Sequence, residues 1–183
     1  MSPHQSRFPA VSRWLHWLMA IMVLAMLFLG VGMASSLSER YRFLVAIHRP
    51  LGLAILVLVA IRLINRLLNP PPPLPDSIPP LQRVAAKASH VLLYALMFIM
   101  PLLGWGMLSA APYPIVIYGS LHLPPILPQD AALYARLRQL HTDFAYLLFA
   151  VFLAHLGAAL MHGLIRRDGV FESMASWGRR RRD

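Results

Sequence analysis

The stretch WLHWLMAIMVLAMLFLGVGMA, residues Trp14–Ala34, contains 21 residues, and His16 is its only ionisable side chain. As an α-helix rising about 1.5 Å per residue, it is long enough to cross the roughly 30 Å of hydrocarbon in a bilayer. A run this long and this apolar indicates a transmembrane helix rather than a helix in the core of a soluble domain. The fold is therefore considered first as that of a membrane protein.

Three further segments have the same character. Ala88–Leu108 and Phe144–Ile165 contain no acidic residue, lysine or arginine. Leu51–Ile61 is too short by itself and spans only when extended to Leu44–Arg66, with its arginine side chains reaching toward the interfaces. The sequence predicts four transmembrane helices at about residues 14–34, 44–66, 88–108 and 141–165. The expected fold class is all-α, an integral membrane four-helix bundle, in a single membrane domain over residues 1–183.

The connections between the predicted helices contain many prolines. Residues 69–80 carry seven prolines and predict a stiff, extended crossover between the second and third helices. The segment 109–140 is a long loop, with a short surface helix expected at Asp130–Leu140. Pro101 is expected to kink the third helix.

The overall composition agrees with a membrane protein. Apolar residues make up 58% of the chain and charged residues 13%, against about 45–50% and about 25% in an average soluble domain. The formal net charge is +10, which is typical either of a nucleic-acid binder or of a membrane protein with basic flanks. The dense basic run Arg179–Arg182 follows a membrane exit, where contact with anionic lipid is expected. No nucleic-acid partner is predicted.

The basic residues also predict an orientation. Four spans place both termini on one side of the membrane. That side collects twelve of the 17 lysines and arginines: Arg7, Arg13, Arg62, Arg66, Arg83, Lys87, Arg166, Arg167 and Arg179 to Arg182. The other side has five: Arg40, Arg42, Arg49, Arg136 and Arg138. The positive-inside rule then predicts cytoplasmic termini and a periplasmic 109–140 loop.

Histidine is more frequent than acidic residues in this apolar chain, with 8 histidines against 7 Asp and Glu. Six of the eight lie in or at the mouths of predicted spans, where ionisable residues are rare and usually functional: His16, His48, His90, His141, His155 and His162. A single intramembrane histidine is commonly only a polar bond between helices. The presence of at least one histidine in each predicted helix is harder to explain by such structural bonds alone. His4 and His122 are given no role.

The depths of these histidines predict two pairs. His155 follows His141 by 14 residues, or about 21 Å along a helix, on nearly the same face of a bundle helix. His48 is expected at the depth of His141, and His16 at the depth of His155. Two imidazoles facing each other at one level can hold an iron porphyrin between helices.

The chemistry of such a site follows from the composition. The chain has no cysteine, which excludes disulfides, iron–sulfur clusters and covalent CxxCH haem attachment, so the haem is expected to be b-type. Arg62 lies 14 residues after His48 and suits a haem propionate, because guanidinium groups bind carboxylates in a bidentate manner. A snorkelling arginine that only sets topology is the alternative.

The motifs around these residues resemble a known family. RWLHW at Arg13–Trp17 opens the first span, and AIHRPLG at Ala46–Gly52 opens the second, which VAIRL at Val59–Leu63 closes. LH at Leu140–His141 and LAH at Leu153–His155 mark the fourth. Over essentially the whole chain the sequence resembles the bacterial cytochrome b561 family, small four-helix dihaem cytochromes linked to quinone. It is similar in plan to the cytochrome b subunits of membrane formate dehydrogenases and nickel hydrogenases.

The resemblance implies a cofactor set and a substrate. It implies two haem b groups, one held by His48 and His141 and the other by His16 and His155. It also implies a ubiquinone site near the cytoplasmic-side haem, for which the expected residues are His90, His162 and Arg166. Interfacial polar anchoring is the alternative for His90 and His162. The implied location is the bacterial inner membrane.

The periplasmic arginines suggest an electron donor. Arg49, Arg136 and Arg138, with Arg40 and Arg42, are expected to form a cationic rim that steers small anions toward the redox centre; contact with lipid headgroups is the alternative. Members of the family resemble superoxide oxidases that pass the electron to ubiquinone. The sequence is thus interpreted as an oxidoreductase that oxidises superoxide.

Two other functions remain open at this stage. A cytochrome b membrane anchor would pass electrons between a peripheral dehydrogenase partner and the quinone pool. A small transporter could relay protons through the histidines without iron. The first requires a docked soluble partner, and the second predicts a colourless protein.

Overall fold

A computed structural model describes residues 7–112 and 114–175. Four long helices dominate it: α1 (Ala10–Ala34), α2 (Ser38–Leu68), α3 (Pro80–Ala110) and α4 (Ala131–Leu160). All four are long and apolar enough to cross a membrane, which confirms the predicted all-α bundle of four spans. The chain also forms a hairpin of β1 (Ile115–Tyr118) and β2 (Leu121–Leu123), one π-helical segment at Met161–Arg166, and the short helix α5 (Val170–Ala175).

The helices extend beyond the spans expected from hydropathy. α2 begins at Ser38 and continues through Pro50 to Leu68, and α3 begins at Pro80 and continues through Pro101 to Ala110. Pro80 is favourable at the first position of α3 because that residue has no intrahelical partner for an amide hydrogen. The crossover at residues 70–75 is non-helical, as its prolines predict.

The helix expected at Asp130–Leu140 is present, but the expectation that it is short and separate from the fourth span is wrong. These residues form the N-terminal turns of α4, which Asp130 caps by accepting a hydrogen bond from the amide of Leu133 at 2.6 Å. A helix of 30 residues is about 45 Å long, so α4 extends well beyond the hydrocarbon. At the other end, the α-helix stops at Leu160 and continues as the π-helical segment.

The loop before α4 forms a cap that hydrogen bonds hold in place. β1 and β2 pair antiparallel around a turn that includes Gly119, whose φ of 52° favours glycine. The indole of Trp105 donates to the carbonyl of Pro124 at 2.9 Å, and the amide of Ile126 donates to the Ser109 hydroxyl at 3.1 Å. These bonds hold the loop against the end of α3.

The packing of the helices is uneven. α1 packs on α2, α2 on α3 and α3 on α4, whereas α4 makes few close backbone approaches to α1 or α2 in the described part. The core cluster joins α1, α2 and α3 through Met19, Val23, Ile55, Val59 and Met97. A gap between α4 and the α1–α2 pair therefore remains for side chains to occupy.

Both ends of the described chain meet at one end of the bundle. The amide of Phe8 donates to the carbonyl of Ser173 at 3.2 Å, and the indole of Trp17 donates to the carbonyl of Met174 at 3.2 Å. This end is called the termini end below, and the opposite end, capped by β1 and β2, the hairpin end. His4 and the basic run Arg179–Arg182 lie outside the described residues.

A buried leucine of α3 tests this packing. Leu96 is 2% exposed, so Leu96→Ala should lower the free energy of unfolding by about 2–5 kcal/mol through lost contacts and a cavity. Thermal unfolding of the purified protein in detergent measures the change. The matched control is Leu81→Ala on the same helix, at a side chain 79% exposed, where a change within about 0.5 kcal/mol is expected. Equal losses in the two variants would contradict the placement of Leu96.

Candidate functional site

Four intramembrane histidines face one another in two pairs across the gap. The ring centres of His48 and His141 are 6.2 Å apart, with their planes inclined at 64°. The ring centres of His16 and His155 are also 6.2 Å apart, inclined at 71°. These are the pairs expected from depth, and they are stacked along the bundle, one toward each end.

The helices position these pairs by their spacing. His141 and His155 are both on α4 and are separated by 14 residues, which is about four turns and returns to nearly the same helix face. Their partners come from two different helices, His48 from α2 and His16 from α1. The imidazoles thus approach each other where the backbones do not.

The spacing of the rings fits a metal bound between them. An imidazole nitrogen binds a transition metal at about 2 Å, and the ring centre lies roughly 1 Å further away, so two opposed ligands have ring centres roughly 6 Å apart. Among residues 7–112 and 114–175 there is no group of three or more His, Asp or Glu side chains placed to hold a metal ion. Each pair offers two nitrogen ligands, which suits a metal that carries ligands of its own, as the iron of a porphyrin does.

A buried polar atom and a glycine facing the second ring also fit a cofactor. Nδ1 of His48 is buried and has no hydrogen-bond partner among the described groups, which is costly for a ring that serves only structure. Gly104 of α3 faces the other ring of that pair: a Cβ there would lie 3.5 Å from Cε1 of His141. The residues present therefore fit an iron porphyrin held by two imidazoles.

Arg62 lies beside the pair nearer the termini end. Its Nη2 is 2.8 Å from Nδ1 of His16; a guanidinium has only donors, so Nδ1 accepts this bond. Arg62 thus contacts a ring of the pair directly. Tyr94 and Arg66, which the sequence reasoning did not select, complete the group: the guanidinium carbons of Arg62 and Arg66 lie 5.7 and 5.8 Å from the centre of the Tyr94 ring.

His90 is brought to the same level from α3. Its ring centre is 5.4 Å from that of His155, so three histidines meet there. Trp17, which adjoins His16 at 5.4 Å between ring centres, separates this group from α5. His90 contacts the His16–His155 pair rather than lying apart at the surface.

The hairpin end brings some of the predicted arginines together. Arg49 donates to the carbonyl of Val116 in β1 at 3.4 Å, beside a cavity of about 450 Å³ that Tyr41 and Arg42 also line. Arg42 forms an ion pair with Glu39. Arg136 and Arg138 are exposed on α4. Residues two apart on a helix do not share a face, so these two arginines do not line one mouth together.

The termini end contains an unexpected hydrogen bond between a histidine and an aspartate. Nδ1 of His162 is 2.6 Å from Oδ2 of Asp168, and both side chains are largely buried. Arg166 instead donates to Oε1 of Gln82 on α3 at 2.7 Å. Sequence reasoning missed Asp168 because a spacing of six residues places two side chains on different faces of a regular helix; no signal in the sequence announced the π-helical segment.

Comparison with known proteins identifies relatives over nearly the whole chain. The family model described as prokaryotic cytochrome b561 matches residues 7–177. The chain is 32% identical over 171 residues to cytochrome b561 homolog 2 of Escherichia coli (strain K12), covering 92% of this chain and 90% of that protein. It is 26% identical to cytochrome b561 homolog 1 of the same strain, over 92% of this chain and 97% of that protein.

A third relative has a name that refers to a reaction. The chain is 26% identical over 161 residues to the probable superoxide oxidase CybB of Yersinia pestis. The alignment covers 87% of this chain and 90% of that protein.

The close approach of Gly104 to His141 gives a test of the site. Gly104→Val adds three carbons where the first already touches the ring at 3.5 Å, so it should displace His141 and lower the amount of haem bound per chain. The pyridine haemochrome assay measures haem content. Leu102→Val on the same helix, at a side chain 45% exposed, is the control and should retain full haem. Full haem in the Gly104 variant would contradict the assignment of His141.

Proposed function

Because the chain belongs to the prokaryotic cytochrome b561 family, we propose that it carries electrons between two haem b groups, from superoxide at the hairpin end to ubiquinone at the termini end. Family membership itself makes the chain a membrane b-type cytochrome of electron transfer, in the bacterial inner membrane and crossing it more than once. The haem count, the donor and the acceptor are the content of the proposal.

The two imidazole pairs support the haem count. His48 with His141, and His16 with His155, each present ring centres 6.2 Å apart, and each pair would hold one iron through two nitrogen atoms. When bound, a haem of this kind supplies a one-electron redox centre with no open position for dioxygen. This geometry is the observation that carries the proposal.

Arg62 supports a propionate position at the termini end. A histidine that binds iron through Nε2 keeps its ring proton on Nδ1, where it normally donates to an acceptor. Arg62, which only donates, must then leave Nδ1 of His16. A propionate carboxylate at that level would be a suitable partner, because guanidinium–carboxylate pairs are strong and bidentate.

The distribution of charge supports an orientation of the chain in the membrane. The order of the four spans assigns twelve of the 17 lysines and arginines to the side of the termini, and basic residues accumulate on the cytoplasmic side of inner-membrane proteins. The termini would then be cytoplasmic and the β1–β2 cap periplasmic. Superoxide would be oxidised outside and quinone reduced near the inner surface.

The proposed quinone site uses the histidines beyond the second pair. His162 follows His155 by seven residues and lies in the π-helical segment that continues α4, where its imidazole can hydrogen-bond a quinone carbonyl. His90 adjoins His155 from α3. Arg166, bonded to Gln82, would close the entrance by linking the end of α4 to α3.

The proposed donor site uses the arginine next to His48. Arg49 lines the cavity under the hairpin, and a cation there would raise the local concentration of a small anion. The name of the Yersinia pestis relative, a probable superoxide oxidase, supports superoxide as that anion. Two superoxide ions and one ubiquinone with two protons would give two dioxygen molecules and one ubiquinol. Arg136 and Arg138 would steer the anion from a distance.

Ligand variants test the pairs. His48→Ala and His141→Ala should each remove one haem of two, and the double variant should remove no more, because both residues serve the same iron. His16→Ala with His155→Ala should show the same pattern for the second haem. Haemochrome quantification with visible spectra measures the losses. A full complement of haem after both members of a pair are replaced would refute that pair.

Superoxide and quinone titrations test the reaction. Superoxide should reduce the haems of the purified chain, and a soluble ubiquinone should re-oxidise them. Arg49→Gln should slow reduction by superoxide by about 10-fold or more and weaken its dependence on salt, because steering is electrostatic. Lys87→Gln, which removes one exposed positive charge from α3 toward the termini end, is the control and should leave the rate of reduction by superoxide unchanged. Haems that superoxide does not reduce, but a copurifying dehydrogenase does, would favour the membrane-anchor function instead.

A further inference from the structure

The π-helical segment after α4 places the carboxylate of Asp168 within hydrogen-bond distance of the imidazole of His162. Asp168 follows His162 by six residues, yet its Oδ2 lies 2.6 Å from Nδ1 of that histidine, with the side chains only 14% and 13% exposed. Hydrogen bonds to a carboxylate at this distance are among the stronger ones in proteins. The pair is the closest His–carboxylate contact in the described residues.

The backbone adopts an uncommon path to form this contact. Met161–Arg166 is π-helical. This conformation is rare in proteins, and where it occurs it is often found at functional sites. Arg167 then takes a left-handed conformation, with φ 50° and ψ 41°, and its amide donates to the carbonyl of His162 at 2.8 Å. A non-glycine residue held in this region is strained and persists only where surrounding contacts impose it.

The contacts that impose it lie in α5. A Cβ on Gly163 would be 2.9 Å from Cγ of Phe171, so only glycine at this position lets that ring approach. Asp168 also accepts a bond from the amide of Val170 at 3.3 Å through Oδ1. The carboxylate is therefore held by its Oδ1 from one side while Oδ2 faces the imidazole.

The orientation of the imidazole follows from this arrangement. The carboxylate of Asp168 accepts a hydrogen bond from Nδ1–H of His162. This bond fixes the orientation of the ring and leaves Nε2 for another partner. We propose that Asp168 is the positioning residue of the quinone site, holding His162 so that Nε2 donates a proton to the reduced quinone. This inference rests on the proposed function and adds the residue that equips His162 for proton transfer.

The proton and electron count is balanced. Ubiquinone takes two electrons and two protons to become ubiquinol. The two electrons come from two superoxide ions by way of the cytochrome. For each proton, the N–H bond at Nε2 breaks as an O–H bond forms on the quinone, and the neutral imidazole then takes a proton from water at the termini end. The carboxylate of Asp168 stabilises the imidazolium before each transfer, as the buried Asp does for His in the serine protease triad.

The test uses Asp168→Asn in the full-length, haem-loaded protein. The amide oxygen of asparagine can accept the same bond from the amide of Val170, so α5 should remain, while the negative charge is lost. With the haems reduced beforehand, the maximal rate of their re-oxidation by a soluble ubiquinone analogue should fall about 10–100-fold, the range for loss of such an outer partner. The quinone concentration at half the maximal rate should change less than threefold. Haem content and the rate of reduction by superoxide should stay unchanged.

Four further variants keep the test decisive. Asp168→Glu, which retains the charge, should recover part of the rate. His162→Gln should slow re-oxidation, and Asp168→Asn added to it should cause no further loss, because the two residues act as a unit. Glu172→Gln removes the same charge from an exposed position of α5 and should leave the rate within twofold.

The outcomes distinguish failure of the proposed electron transfer to quinone from failure of the proposed role of Asp168. If ubiquinone does not re-oxidise the wild-type haems, the proposed function fails. If it does, and Asp168→Asn re-oxidises at the wild-type rate, or loses haem together with its rate, the positioning role of Asp168 is refuted. Additive losses in the double variant would also refute it.

Discussion

The approach of two imidazole pairs between α4 and the α1–α2 pair is the interaction on which the rest of the structure depends. α4 is attached to the bundle mainly through α3, and the core cluster lies among α1, α2 and α3. His141 and His155 extend from α4 into the gap and meet His48 and His16 at the same ring separation. A metal held in each pair would link α4 to α1 and α2 and so stabilise the bundle as well as transfer electrons.

Helix geometry alone arranges these pairs in depth. The 14-residue spacing within α4 separates the two levels by about 21 Å, and the spacing of His48 and Arg62 on α2 is the same. As a result, one end of the bundle presents a histidine pair beneath an arginine-lined cavity, and the other presents a pair surrounded by Arg62, His90 and Trp17. The two ends are chemically different, which suits a carrier that receives electrons from one kind of molecule and delivers them to another.

Much of this was predictable from local sequence, because a bilayer imposes one simple rule on composition and length. Hydropathy found the four spans, and residue spacing found the histidine pairs. It did not find the ends of the helices: Asp130–Leu140 looked separate from the span only because it is polar, whereas its capping aspartate begins one continuous α4. Asp168 was out of reach because its position depends on Phe171 packing against Gly163 and on a left-handed Arg167, which are tertiary contacts rather than a periodic pattern.

The central claim is that two irons are each held between two histidines, and electron paramagnetic resonance of the oxidised protein tests it most directly. The angle between two axial imidazole planes sets the splitting of the iron d orbitals, and nearly perpendicular planes make a low-spin signal strongly anisotropic. With planes inclined at 64° and 71°, the account predicts two strongly anisotropic low-spin signals that integrate to two irons per chain. A single low-spin iron per chain, or a high-spin signal from either site, would contradict it.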